Sequence, residues 1–125
     1  MDLSVEVERT GGVTIVRLDG DLDKVTAPGL RTRLRELAAS GCRAMVIDAE
    51  RLTFCDSSGL WVLVEQHRHL AHLGGALRLS GVHGILGRVL EVTGLRAVFD
   101  DATGRAAPAA SQDRTSPRPG PSPVP

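Results

Sequence analysis

The run at residues 44–47 (AMVI) most constrains the fold of this chain, because every position is apolar and none alternates with a polar one. Such a run is typical of a strand that is covered on at least one face and has a neighbouring strand on each side. The sequence therefore predicts that residues 44–47 lie centrally in a sheet.

Strand-like and helix-like patterns alternate along the rest of the chain. Apolar runs and alternations predict strands over residues 3–8, 13–18, 44–47, 76–80 and 97–99. Apolar residues at helical spacing predict helices over residues 27–38, 57–73 and 85–93, the first of them capped by Thr26. The order ββαβαβαβ predicts a single α/β domain, in which helices pack on a mixed β-sheet of about four to five strands.

The domain is predicted to cover residues 1–102, because the composition changes beyond that point. Six of the seven prolines fall between Pro108 and Pro125, among serine, arginine, glycine and alanine. A segment with so little to bury is expected to be disordered. We therefore interpret residues 103–125 as a disordered tail, either a dispensable extension or a docking or degradation signal.

The charge balance argues against two classes of partner. The chain has 15 basic and 15 acidic residues, so no net positive field exists to attract nucleic acid or an anionic membrane. Its first residues show no basic segment followed by an apolar run, and no apolar stretch is long enough to cross a bilayer. We expect a cytoplasmic protein that neither binds nucleic acid nor inserts into membranes.

Cysteine and histidine spacing indicates no metal site. Cys42 and Cys55 lack the spacing of metal-binding pairs and are expected to be free, mostly buried thiols. His69 and His72 share a helix face, but no third ligand of suitable spacing accompanies them. No segment resembles a phosphate-binding loop, so the sequence implies no cofactor.

The most informative segment runs from the central strand into the second helix, through Asp56, Ser57, Ser58 and Gly59. A junction of this kind faces solvent at the carboxyl end of a strand, where α/β sheets place binding sites and where helix N–H groups favour an anion. A purely structural interpretation is also available, in which Asp56 or Ser57 caps the helix and Gly59 permits close packing.

The wider pattern resembles the STAS domain, specifically that of the bacterial anti-sigma-factor antagonists. The resemblance rests on residues 18–23 (LDGDLD), 26–28 (TAP) and 54–60 (FCDSSGL), and it extends over roughly residues 3 to 100 in the same order of elements. It implies a protein-binding function without catalysis. The resemblance also implies that Asp21 and Asp23, which lie in the turn beside the phosphoacceptor, contribute to the surface that contacts the partner.

The same resemblance implies a phosphorylation switch. In that family the serine after the motif aspartate is phosphorylated by the anti-sigma factor, a serine kinase of the histidine-kinase-like ATPase type. The unphosphorylated antagonist sequesters this kinase and so frees a sigma factor. Carried over, the acceptor is Ser57, with Ser58 as the alternative, and Asp56, Ser58 and Gly59 belong to the partner-binding surface.

Trp61 departs from the family pattern, which usually has a small residue two positions after Gly59. It lies four residues after Ser57, so the two side chains are expected to share a helix face. Either the indole is an anchor that faces the partner, or it packs under the preceding loop.

Two other functions would use the same segment. A STAS subunit of a larger assembly, such as a signalling complex or a lipid transporter, would use the same surface as a permanent interface. A serine hydrolase would use Ser57 or Ser58 as nucleophile, but the GxSxG elbow is absent and no base is evident. The histidines that follow lie along the helix, roughly 15 Å or more from Ser57.

Overall fold

The computed structural model describes residues 2–99, which form seven elements in the order ββαβαβα. The strands are β1 (Leu3–Thr10), β2 (Val13–Leu22), β3 (Ala44–Cys55) and β4 (Ala76–Ser80). The helices are α1 (Ala27–Ala39), α2 (Ser57–His72) and α3 (Gly84–Thr93). The predicted tail at 103–125 lies outside the described residues.

The four strands form one mixed sheet in the order β1-β2-β3-β4. β1 and β2 pair antiparallel as the predicted hairpin, with Thr10 opposite Val13, and β3 pairs parallel with both β2 and β4. The prediction that residues 44–47 form an inner strand is therefore confirmed. The inner position of the strand explains why these residues are all apolar, since Met45 and Ile47 are almost fully buried between neighbouring strands and the helices.

The two faces of the sheet differ in chemistry. On β2, Val16 and Leu18 join the core that also holds Leu30 and Leu34 of α1, whereas Arg17 between them is exposed. Arg17 contacts Glu8 of β1 at 2.6 Å. This period of two buries one face of the sheet under helices and leaves the other to charged residues.

The predicted fifth strand at residues 97–99 is wrong. Residues 96–99 are helical, and the Val98 amide donates to the Leu95 carbonyl at 3.1 Å. Phe99 reaches the core from this turn, with its ring 5.5 Å from the ring of His67 in α2. A three-residue apolar run has no period that separates strand from helix, so the contact with α2 decided the conformation.

β3 is much longer than its neighbour β4, and this length positions the candidate site. β4 pairs only with Ala44 to Asp48, whereas β2 accompanies β3 as far as Cys55. The ends of β2 and β3 therefore leave the sheet side by side, one leading into α1 and the other into α2. Among residues 2–99, no helix is both long and apolar enough to span a bilayer.

Candidate functional site

The ends of β2 and β3 bring the two motif segments together. Asp21 lies opposite Phe54 and Leu22 opposite Cys55 in the register of the parallel pair. The Asp56 amide then donates to the Leu22 carbonyl at 3.1 Å, which extends the pairing by one bond beyond the strands. The acidic turn after β2 and the serines after β3 thus form one surface at the carboxyl edge of the sheet, as the family resemblance implied.

Asp56 connects these two segments through its side chain. Its Oδ1 accepts a hydrogen bond from the Gly59 amide at 3.0 Å, and its Oδ2 accepts one from the Lys24 amide at 3.1 Å. Of the two predicted caps of α2, Asp56 therefore holds the position. One carboxylate both begins the helix and fixes the turn between β2 and α1 against it.

Ser57 is the first residue of α2 and is exposed, whereas Ser58 is half-buried. Within residues 2–99, neither hydroxyl is hydrogen-bonded to another protein group. The position places the Ser57 hydroxyl at the positive end of the helix dipole, with solvent around it. Of the two predicted acceptors, Ser57 is the more accessible.

Asp21 and Asp23 are both held by neighbouring groups. The Asp21 Oδ1 lies 2.9 Å from the hydroxyl of Thr53, which the sequence did not single out. The Asp23 Oδ1 accepts hydrogen bonds from the amides of Val25 at 2.9 Å and Thr26 at 3.0 Å. The bond from Thr26, aided by that from Val25, holds the pKa of Asp23 below its usual value. Both aspartates therefore shape the turn that they line.

Thr26 occupies the N-cap position of α1, as predicted, but its hydroxyl does not cap the helix. It donates instead to the Asp21 carbonyl at 2.8 Å and accepts from the Asp23 amide at 3.0 Å. The expected capping bond is wrong because the tight turn before the helix offers Thr26 closer partners. Thr26 therefore stabilises the acidic turn itself.

Gly59 is buried against the end of β2. A Cβ atom at this position would lie 2.4 Å from Leu22 Cγ and 2.7 Å from the Leu22 carbonyl oxygen. Real Cβ atoms essentially never approach that closely, so only glycine lets the first turn of α2 reach β2. The predicted packing role of Gly59 is confirmed.

Three large apolar side chains are exposed in the two motif segments and the first turns of α2. Trp61 is 49% exposed, Phe54 43% and Val25 74%. The guanidinium of Arg68 lies 6.0 Å from the centre of the Trp61 ring. Trp61 is therefore not buried under the preceding loop. The sequence missed Phe54 and Val25, because Phe54 ends a strand pattern and Val25 lies in a turn that its composition alone does not orient.

The thiol of the cysteine before the motif stays protonated at neutral pH. Cys55 is buried, and burial, with a smaller effect from the negative charge of Asp56, raises the pKa of its thiol to about 12. Cys42 is a free thiol that is half-buried rather than buried. In the part of the chain that the structure describes, no group of three or more histidine, cysteine or acidic side chains is placed to hold a metal ion.

Comparison with known proteins identifies the family. The STAS domain family matches residues 4–108. The chain is 34% identical over 96 residues to an anti-sigma F factor antagonist of Paenibacillus polymyxa, a match covering 76% of this chain and 82% of that protein. It is 30% identical over 100 residues to an anti-sigma-B factor antagonist of Bacillus subtilis, covering 80% and 91% of the two chains.

Comparison with solved structures gives the same family. An anti-sigma factor antagonist from Mycobacterium paratuberculosis superposes with a TM-score of 0.73 at 29% identity, covering 81% of this chain and 91% of that one. With this fold, and with the motif serine exposed at the carboxyl edge of the sheet, the chain belongs to the STAS domain proteins of the anti-sigma factor antagonist family.

Proposed function

We propose that this protein is an anti-sigma-factor antagonist that acts by binding and not by catalysis. When Ser57 is unphosphorylated, it binds an anti-sigma factor that is also a serine kinase of the histidine-kinase-like ATPase type, and a sigma factor is freed indirectly. Phosphorylation of Ser57 by that kinase releases the complex. The relatives named as antagonists of anti-sigma factors support the class of partner.

The exposed hydroxyl of Ser57 is the observation that carries the proposal. A kinase needs an acceptor that it can reach and that no other group holds, and Ser57 meets both conditions as far as residues 2–99 are concerned. A related solved structure, 25% identical over 75% of this chain with a TM-score of 0.63, is described as the Bacillus cell fate determinant SpoIIAA in the phosphorylated form. That description of a relative supports the proposal that the present protein also has a phosphorylated state.

The surroundings of Ser57 are suited to a protein partner. Exposed apolar side chains at Val25, Phe54 and Trp61 accompany the carboxylates of the turn. Aromatic anchors beside a polar rim are the usual composition of protein interfaces, and tryptophan is enriched among the residues that carry binding energy. We therefore assign Asp21, Asp23, Asp56, Ser58 and Trp61 to the binding surface. Gly59, which was also predicted to belong to it, is buried and contributes only by letting α2 lie close to β2.

Electrostatics explains how the modification releases the partner. A phosphate adds about −1.5 to −2 charges, which the N-terminus of a helix favours by only about 0.3 to 1 kcal/mol. Against an acidic turn and across a tight interface, the same charge opposes binding by several kcal/mol, and each 1.4 kcal/mol is about tenfold in affinity. The switch therefore acts on the interface and leaves the domain folded.

The test is mass spectrometry of the protein after incubation with ATP and its anti-sigma kinase. We expect one added phosphate, mapped to Ser57 and absent from the Ser57→Ala variant, while the Ser58→Ala variant is still modified. A phosphate that maps to Ser58 would move the acceptor by one residue. A stable complex with no phosphate on either serine would contradict the switch and favour a permanent subunit of a larger assembly.

A further inference from the structure

Lys24 is the only lysine of the chain, and the structure places its backbone against the first turn of α2. Its amide donates to Asp56 Oδ2 at 3.1 Å, while Oδ1 of the same carboxylate accepts from the Gly59 amide at 3.0 Å. Ser57 directly follows Asp56 and precedes Gly59, so it lies within the segment that this carboxylate holds. The Lys24 backbone is therefore held against the residue that directly precedes the exposed serine.

The charges around Ser57 are otherwise mostly negative. The carboxylates of Asp23 and Asp56 accept backbone hydrogen bonds, and that of Asp21 lies 2.9 Å from the Thr53 hydroxyl. The nearer part of α1 contributes Arg31, but its guanidinium already pairs with Glu65 of α2 at 2.9 Å. Lys24 is exposed, and its ammonium forms no ion pair within residues 2–99.

We propose that Lys24 is the counterion of the phosphate on Ser57, pairing with it once the serine is modified. The proposal rests on the proposed function, since it concerns the modified state of the same serine. A lysine carries three donors on a flexible four-carbon stem, so the ammonium can turn from solvent to a neighbouring phosphate without a change in the backbone. The backbone bond to Asp56 keeps the base of that stem in place.

The pairing has a direct consequence for the charge of the switch. The second pKa of a phosphoserine is about 6, so both the singly and the doubly charged forms are populated close to neutral pH. Carboxylates of Asp21, Asp23 and Asp56 raise this pKa, and the ammonium of Lys24 lowers it. Lys24 therefore favours the doubly charged form of the phosphate, while its own positive charge offsets part of the negative field that a partner meets.

The experiment uses full-length protein with phosphoserine encoded genetically at position 57, so that no kinase is required. The phosphate signal is followed by ³¹P NMR between about pH 4.5 and pH 8 in the otherwise unaltered chain and in Lys24→Gln, Lys24→Arg and Arg88→Gln variants. Lys24→Gln removes only the side-chain charge, because the backbone bond to Asp56 remains. Arg88, exposed on α3, is the control for loss of a positive charge elsewhere.

We expect Lys24→Gln to raise the second pKa of the phosphate by roughly half a unit, as one charge a few ångströms away does in a water-like medium. Lys24→Arg and Arg88→Gln should match the parent, and about 1 M salt should shrink the effect of Lys24→Gln. A Lys24→Gln titration equal to the parent, or an Arg88→Gln shift of the same size, would overturn the assignment. Neither result depends on whether a kinase modifies Ser57, so the two proposals fail separately.

Discussion

Leu22 is the residue on which both halves of the site depend. Its carbonyl accepts a hydrogen bond from the amide of Asp56, and its side chain occupies the space that a Cβ atom at position 59 would need. The position of Ser57 relative to the acidic turn is therefore set by the close approach of the two backbones at one point. A change of one carbon at Gly59 tests how much depends on that proximity.

Gly59→Ala should lower the free energy of unfolding by about 1–3 kcal/mol, because the added methyl overlaps Leu22 and must push α2 away from β2. Gly29→Ala in α1 is the matched control, since a Cβ added there would meet no atom within 4 Å. There the better helix propensity of alanine should leave stability equal or slightly higher. Urea denaturation followed by circular dichroism measures both, and equal losses would contradict the close contact at Leu22.

Residues whose roles depend on local chain geometry could be predicted from the sequence. Asp56 as a cap and Gly59 as a packing position follow from preferences at a helix N-terminus. Lys24 and Thr53 could not be found in this way, because their partners lie 32 residues away along the chain. Only the parallel register of β2 and β3 brings those pairs together.

At the scale of elements, α2 links the proposed phosphoacceptor to the end of the described chain. It begins at Ser57, and its middle carries His67, whose ring packs against Phe99 at 5.5 Å. The Nδ1 atom of His67 is buried and has no hydrogen-bond partner within residues 2–99. A buried and unpartnered imidazole is stable when neutral and costly when protonated.

Lowering the pH should therefore destabilise the domain through His67. Burial, followed by the positive charge of Arg68, lowers the pKa of this imidazole in the folded state, so the unfolded chain binds the proton more readily. The stabilising contribution is complete above the unfolded pKa of about 6.5 and is lost as the pH falls toward the folded value.

Urea denaturation at several pH values between about 7.5 and 5.5 measures this loss. His67→Gln should reduce the dependence of the free energy of unfolding on pH in that range. His72→Gln, at an exposed position of the last turn of α2, should keep the dependence of the parent. Identical pH profiles for the parent and His67→Gln would show that burial of His67 does not favour the neutral ring.

The elements themselves were predictable where the pattern was long. The apolar stripe of α2 and the uninterrupted apolar run of β3 are patterns that loops do not usually contain. The predicted bounds of α2 agree with the structure within a residue, whereas β3 continues well beyond its apolar run. The segment at residues 97–99 was too short for any period to emerge. Its conformation depends on a contact with α2, which the local sequence does not encode.

Across the described residues, the proposed phosphorylation site at Ser57 and the core are separate. Ser57 is exposed and is not one of the buried residues of the core. The described domain therefore has no reason to unfold when Ser57 gains charge. This separation predicts that binding and stability respond differently to one substitution.

Ser57→Asp should change the free energy of unfolding by no more than about 1 kcal/mol, because a negative charge is favoured at a helix N-terminus. The same variant should bind the anti-sigma kinase at least roughly tenfold more weakly, since its charge faces the acidic turn and the partner. Ser57→Asn, of similar shape but neutral, is the matched control. Calorimetry with the kinase that shows equal weakening by both variants would assign the effect to shape instead of charge.

The fold class of the whole molecule followed from element order, and the family from motif order, but the composition of the exposed surface did not. Val25 and Phe54 look like ordinary apolar positions of a turn and a strand. The exposure of Phe54 accompanies the overhang of β3 beyond β4, and no local pattern reports the relative lengths of two strands.

The beginning of β1 has a practical consequence. The Asp21 amide donates to the Asp2 carbonyl at 2.9 Å, and Gly20, with φ of +117°, leaves room for that carbonyl. Anything fused ahead of Asp2 therefore emerges beside the acidic turn of the candidate site. An affinity tag or fluorescent fusion at that end would compete for the surface being studied, whereas Phe99, at the other end of the described residues, lies beside His67 in α2, away from the first turn of that helix.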